Sequence, residues 1–411
     1  MKSRFYMVGL IMLTFFVISF LTNILGPLIP DIIKSFDLNL GLAGFLPFAF
    51  FVAYGVMSIP SGMMIEKYNE KKVMVFAFLL ASAGALLFGL KPSFGVSMIS
   101  LFLIGSAMAM LQVAINPLLR VAGGEEHFAF NSVLGQLAFG LASFVSPQVY
   151  SYLVDNVDKT DQPGAIIGLM ESLVPDGLAW VSLYWVFAVV AALMVGVIFF
   201  SKFPKVELKE DEKAGNWAIH RDLLKNRTVQ LFFLGIFCYV GTEQGVANWL
   251  SQFLSSYHGF DPQTVGADAV SSFWGLMTLG CLLGLVLLKI LDSQKVLMYF
   301  TSAAALCLIL ALFAPARVAL YAFPMFGFFI SIMWSVIVSL ALNSVAEHHG
   351  SFSGILCTGI AGGAVFPLIV GGLGDLIGLR ASMLFLLLPL AYIFSIGIWA
   401  KPLVKNKTIG G

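Results

Sequence analysis

The stretch Val229 to Leu254, VQLFFLGIFCYVGTEQGVANWLSQFL, contains one charged residue, Glu243. At about 1.5 Å of rise per residue, such a helix crosses a hydrocarbon layer roughly 30 Å thick with some tilt. Glu243 then falls near the middle of the layer. A carboxylate at that depth costs about 3 kcal/mol on insertion scales, so it marks a polar cavity, an ion path or a substrate path. Polar side chains recur around it at helical spacing: Tyr239 with Glu243, and Gln244 with Asn248 and Gln252. The helix reads as one wall of a transport pathway. The competing reading is a glutamate paired to a neighbouring helix for packing alone, but the sequence supplies no deep Lys or Arg to pair with it.

The rest of the chain has the same character. Of 411 residues, 59% are hydrophobic and 11% charged, with a mean hydropathy of +0.94. A soluble domain carries about a quarter charged residues. This is the composition of an all-α, polytopic membrane protein. Twelve spans are expected, near 5–29, 41–64, 73–90, 95–119, 131–153, 178–200, 229–254, 267–290, 296–314, 318–343, 352–373 and 381–400. The first apolar run is too long for a signal-peptide core and lacks a small-residue cleavage site, so it is read as a membrane helix. With both termini cytoplasmic, 18 of the 23 Lys and Arg lie on the cytoplasmic side and 5 on the other. This bias supports an even number of spans in that orientation. A net charge of +1 points to no nucleic-acid partner. Cys238, Cys281, Cys307 and Cys357 all sit in apolar segments without metal-ligand spacing, so neither a disulfide framework nor a metal site is expected.

Taken in order, the first helix ends in Thr22-Asn23-Ile24-Leu25-Gly26-Pro27. Asn23 is either a substrate ligand or a helix-to-helix hydrogen bond. Gly26 and Pro27 loosen a helix, which is tolerated beside a cavity. Helix four carries Gln112 and Asn116 on one face, followed by Pro117. The stretch from Ser201 to Arg227 is charged and reads as a cytoplasmic linker between two six-helix bundles, 1–200 and 228–411. A short helix at 216–226 lying on the membrane surface is one reading of this stretch, and a solvated linker with no other role is the favoured one; a polar loop is expected over 155–177. In helix eight, Trp249 of the neighbouring helix and its own Trp274 are candidates to stack on the apolar face of a sugar ring; packing is the alternative for both.

Between helices two and three, the turn Gly62-Met-Met-Ile-Glu66-Lys67-Tyr-Asn69-Glu70-Lys71-Lys72 resembles the signature loop of the major facilitator superfamily. Asn69 stands where that family has Gly, and Asn is the next best residue for positive φ. In the family, Gly62, Glu66, Lys67, Lys71 and Lys72 would form a conformational gate. Asn116-Pro117, the loop Gly123-Gly124-Glu125-Glu126-His127 with Asn131, Tyr239-Val240-Gly241 before Glu243, and Gly362-Gly363-Ala364 with Pro367 and Gly371 to Asp375 together resemble the fucose–glucose–galactose permeases of that superfamily. The resemblance spans both halves. It implies two pseudo-symmetric six-helix bundles in the major facilitator fold, and import of a sugar by symport across a plasma (inner) membrane.

No catalytic constellation is present, so no enzyme is expected. Glu243 has no second deep carboxylate, and the other Asp and Glu lie in loops or near helix ends. The five His lie outside the deep core, and no Gly-rich phosphate loop follows a strand. The deep polar set is mostly amides: Asn23, Gln112, Asn116, Gln136, Gln244 and Asn248. Amides donate and accept, which suits the adjacent hydroxyls of a neutral sugar. An organic-anion carrier would place Lys or Arg there. A proton-antiporting drug or metabolite exporter remains the competitor, with the 38 Phe in its favour.

The resemblance also bears on coupling. The family's proton-driven fucose permeases use an Asp late in helix one and a Glu in helix four; aligned by motif, this chain has Gly26 near the first and Gln112 at the second. Glu243 is then the expected ion-coupling residue, either carrying H⁺ or helping to hold Na⁺ with oxygen ligands, with sodium favoured and a merely structural Glu243 still open. No other cofactor is expected. The partners are a small sugar and the lipid bilayer, and the chain is expected to work as a monomer.

Overall fold

A computed structural model describes residues 2–123, 128–157, 164–203, 217–345 and 348–403. Among them there is no strand. Twelve helices are long and apolar enough to cross a membrane. In order they are Tyr6–Phe36, Leu40–Tyr68, Glu70–Leu90, Phe94–Ile115, Leu134–Asn156 and Ala179–Phe200, then Arg227–His258, Pro262–Leu288, Ser293–Phe313, Ala316–Leu342, Gly350–Ile377 and Leu379–Trp399. They are called spans 1 to 12 below.

Caps explain where several of them start and stop. The Asn39 side chain accepts from the amide of Leu42 at the start of span 2, and Asn226 does the same for Thr228 at the start of span 7. Asp292 caps span 9 through the amides of Gln294 and Lys295. Span 7 ends at Gly259, whose φ of 68° is the left-handed conformation that closes a helix. Asn69 has φ 75° in the turn between spans 2 and 3, and its side chain accepts from the Lys72 amide at 3.1 Å. Asn at the family's Gly position therefore adopts positive φ and caps span 3 as well.

The packing repeats across the halves. In the first half, span 2 packs on 4, 3 on 4, 3 on 6 and 1 on 5. In the second half, 8 packs on 10, 9 on 10, 9 on 12 and 7 on 11. These are the same pairs displaced by six spans, as an internal two-fold repeat requires. Between the halves, span 2 meets 11 and span 5 meets 8, which is one contact and its symmetry mate. Span 1 also meets span 7 across the seam. There Gly26 lies so close to the Ala247 carbonyl that a methyl group would overlap it. Small residues allow such backbone approach where lipid provides no hydrophobic drive for helix association.

Span 1 differs from the expected 5–29. It is two helices, Lys2–Thr22 and Leu25–Phe36, joined at Asn23 and Ile24. Pro27 sits in the first turn of the second piece, where its missing N–H costs nothing. The proline-rich stretch thus restarts the helix and carries it past Asp31. The loop over 155–177 contains a further short helix, Ala165–Leu173. The linker helix is Trp217–Leu223.

The hydroxyls of Tyr6 and Ser201 lie 2.7 Å apart, so the start of span 1 and the end of span 6 share one face. The turn between spans 2 and 3 shares it too, because the Lys71 ammonium donates to the Ser201 carbonyl at 2.9 Å. This is the linker face; the other is the far face.

Candidate functional site

Glu243 stands midway along the 32 residues of span 7 and is half-buried. Its carboxylate is held by its own helix. The Tyr239 hydroxyl donates to one oxygen, and the Gln244 amide donates to the other at 3.1 Å. Asn248 continues the chain, donating to the Gln244 carbonyl at 2.8 Å and to its side-chain oxygen at 3.2 Å. Two of its links join residues four apart, 239 with 243 and 244 with 248, and the third joins the neighbours Glu243 and Gln244. The Tyr239 ring lies 6.3 Å from that of Trp334 in span 10, so the relay looks into the second bundle at that end. Gln244 instead faces the seam: a methyl on Gly363 of span 11 would touch both its Cγ and the Phe51 ring of span 2. Among the described residues, no Lys or Arg lies within ion-pair distance of Glu243.

On the other side of the seam, Asn23 is buried at the break in span 1. Its amide donates to the Ser143 hydroxyl of span 5 at 2.9 Å. Ser19 and Ser143 are 2.6 Å apart, and Ser19 also reaches the Phe139 carbonyl. Of the two readings of Asn23, the helix-to-helix hydrogen bond is the one formed here.

Trp274 lies at the same level. Val270 packs beside Gly26, and both Trp274 and Asn23 are about one turn nearer the linker face. Trp274 is only 4% exposed, yet its indole N–H has no hydrogen-bond partner. Buried donors are nearly always paired, so the orphan N–H of Trp274 is unusual. Trp249 is different. It is fully enclosed, and its N–H donates to the Pro367 carbonyl of span 11 at 2.9 Å. Its ring braces spans 7 and 11, which is the packing alternative for that residue and removes it as a stacking platform.

Gln136 in span 5 shares a stripe with Gly140 and Ser143. Gly140 is packed against Thr278 of span 8, and Ser143 holds Asn23. One turn nearer the linker face, Gln136 is exposed. Spans 5 and 8 have therefore parted at that level, while spans 2 and 11 stay together as far as Gly55 and Ala361. Gln112 is half-buried on span 4, whose helix continues through Asn116 and Pro117. The side chain of Asn116 and the loop 124–127 lie outside the described residues.

At the linker face, Gly62 is half-buried and Glu66, Lys67 and Lys72 are exposed. Lys67 rests over the Tyr68 ring and Lys71 over the Phe199 ring, besides its bond to Ser201. The turn is thus tied to span 6 of its own bundle. Among the described residues, no group of three His, Cys, Asp or Glu could hold a metal ion.

Sequence reasoning missed Asp31. It is buried near the far face, and it accepts from the Tyr150 hydroxyl and from the Gln263 amide at 3.1 and 3.3 Å. Ending span 1 at its prolines assigned Asp31 to a loop. The apolar run Leu28-Ile29-Pro30-Asp31-Ile32-Ile33 was the available signal.

Comparisons with known proteins agree with this architecture. The model of the Major Facilitator Superfamily matches residues 11–367. A glucose/galactose transporter of Brucella abortus is 30% identical over 395 residues, covering 94% of this chain and 92% of that protein. The L-fucose-proton symporter of Escherichia coli K12 is 28% identical over 402 residues, covering 92% and 89%. A crystal structure of the E. coli fucose:proton symporter FucP superposes with a TM-score of 0.69 at 22% identity, covering 97% of this chain and 99% of that one. With twelve spans in two repeated bundles and a family model over most of its length, the chain belongs to the Major Facilitator Superfamily.

Proposed function

We propose that this protein is a secondary active transporter that imports a neutral sugar by alternating access, in symport with Na⁺ or H⁺. The observation that carries this reading is the chemistry of the midplane: amides, one carboxylate and an unpaired indole N–H, with no cation at depth among the described residues. Such a surface offers donors and acceptors to vicinal hydroxyls, and the Trp274 ring offers an apolar face to a sugar's C–H groups. An organic anion would find no counter-charge. The names of the relatives, glucose/galactose transporter and L-fucose-proton symporter, support a sugar over the exporter reading.

Asn23, Gln112, Asn116, Gln136, Gln244, Asn248 and Trp274 are the proposed substrate set. Asn23 and Asn248 must exchange present hydrogen bonds for substrate ones. Glu243 is the proposed coupling group. Its carboxylate is solvated by donors and lacks a cation, which suits a transient partner, either Na⁺ or a proton. Sodium is favoured because the carboxylates of the proton-driven relatives have no counterpart in the aligned motifs. The turn with Gly62, Glu66, Lys67, Lys71 and Lys72 is the proposed linker-face gate. Bundles 1–200 and 228–411 would move about the seam, joined by 201–227. The linker and both termini would lie on the cytoplasmic side of the inner membrane, and the unit would be a monomer.

Uptake of radiolabelled glucose, galactose and fucose into proteoliposomes, under separate Na⁺ and H⁺ gradients, tests the reading. Accumulation driven by one gradient and lost in Glu243→Gln is expected. Undiminished accumulation by Glu243→Gln would remove Glu243 from coupling; stabilisation by hydrophobic cations and by no sugar would favour the exporter.

A further inference from the structure

Three carboxylates cross the seam near the far face, each meeting neutral donors of the opposite half. Asp31 of span 1 accepts from the Gln263 amide, in the turn that opens span 8. Asp268 of span 8 accepts from the Gln148 amide of span 5 at 2.8 Å. Asp375 of span 11 accepts from the backbone amides of Leu40 and Gly41 at 2.9 and 2.7 Å. Those two amides belong to the first turn of span 2, where helix N–H groups lack internal partners and the dipole favours a negative charge. Among the described residues, none of the three carboxylates has a Lys or Arg within 4 Å.

Their settings differ. Asp268 and Asp375 are exposed, so water replaces a lost partner at once. Asp31 is 8% exposed. Tyr150, from its own half, fixes one oxygen, and Gln263 reaches both. The Ser151 hydroxyl adds a bond to the Gln263 carbonyl, so Ser151 of span 5 and Asp31 of span 1 hold the same turn, with Tyr150 steadying Asp31 from its own half. A buried carboxylate that loses a donor is penalised unless water enters. Breaking the Asp31 contact and flooding the far-face seam therefore belong to one event.

We propose that Asp31, Asp268 and Asp375 form a latch that holds the far face closed, with Asp31 as its central member, and that release of Gln263 from Asp31 is a required step of the transport cycle. The latch rests on the alternating-access part of the proposed function and not on the identity of the sugar. Charge-assisted bonds to amides suit a contact that must open in every cycle: they are stronger than neutral bonds, and water is an adequate substitute once the seam opens.

Thiol labelling of purified protein tests it, with two reporters. Val270→Cys lies buried beside Gly26 in the far-face seam, and Gln136→Cys lies in the gap on the linker side. The protein without the reporter supplies the blank for its four native cysteines. In Asp31→Asn, an NH₂ group can face the Gln263 NH₂. The far face should then open, raising the labelling rate at 270 about ten-fold and lowering it at 136, in line with loss of one charged hydrogen bond. Gln263→Ala leaves the Asp31–Tyr150 bond intact and should act in the same direction even if Asp31→Asn folds poorly. Unchanged rates at both reporters in a folded Gln263→Ala would overturn the latch. So would rates that rise together, which report a loosened bundle. No sugar is needed for this measurement, so a failure to bind sugars would sink the substrate reading and leave the latch standing.

Discussion

The Tyr239 hydroxyl donates to the carboxylate of Glu243, one turn further along the same helix. Neither residue needs another helix to find its partner, so the pair keeps its geometry while the bundles move. On the proposed coupling role, only the occupant of the space in front of the carboxylate changes. Tyr239→Phe removes a donor to a charged group, a contact worth about 1.5–3 kcal/mol. Ion dependence of uptake should shift by roughly ten-fold or more, while sugar affinity at saturating ion is retained. Initial rates measured over a series of Na⁺ concentrations and over a series of pH values check this. An unchanged ion dependence would leave the pair with a structural role only.

The two tryptophans near the path should respond in opposite ways. Trp274→Phe keeps a ring but deletes an N–H that has no protein partner. Stability should hold, and sugar affinity should fall about five-fold for a lost hydrogen bond of ~1 kcal/mol. Trp249→Phe deletes a donor that serves the Pro367 carbonyl in a fully enclosed site. It should lower the unfolding temperature by a few degrees with little effect on sugar affinity. A thermal-shift titration reads both quantities on each variant.

The positions of the two tryptophans also show what the sequence could express. Span number, the amide set and the depth of Glu243 follow from hydropathy and spacing, because every backbone group in a bilayer must be satisfied within its own helix. Which face of a helix meets the seam depends on packing between spans far apart in sequence, and nothing local separates Trp249 from Trp274. Asp31 escaped for another reason. Prolines stop helices in water, but here Pro27 starts a second helix after the break at Asn23. Asp375 was visible only as the end of a Gly-rich motif; its role at the first turn of span 2 is a contact between residues more than 330 positions apart.

Topology gives a prediction independent of the site. The proposed orientation, with the linker side in the cytoplasm, rests on the charge bias and the positive-inside rule. Lys159 and Lys213, the natural reporters in the two long loops, lie outside the described residues, but exposed alternatives exist. Lys91, at the end of span 3, and Lys67, in the turn after span 2, are on opposite faces. In intact cells, an impermeant maleimide should label Lys91→Cys, and should label Lys67→Cys only after the membrane is opened. The reverse pattern would invert the orientation and with it the direction of transport.

Gly26 gives the sharpest steric test of the moving seam. It touches the Ala247 carbonyl of span 7 from the other half, with Val270 of span 8 behind it. A carbonyl in a helix backbone cannot swing aside as a side chain can, so even one methyl forces the two spans apart. Gly26→Ala should therefore disfavour closure of the far face while leaving each bundle intact, since the clash lies between bundles and not within one. Uptake should fall by an order of magnitude or more, because a carrier that cannot close behind its substrate cannot complete the cycle. Purified Gly26→Ala should still be stabilised by the transported sugar, and Val270→Cys in this background should label faster. Normal uptake by Gly26→Ala would mean that spans 1 and 7 need no such close approach during transport.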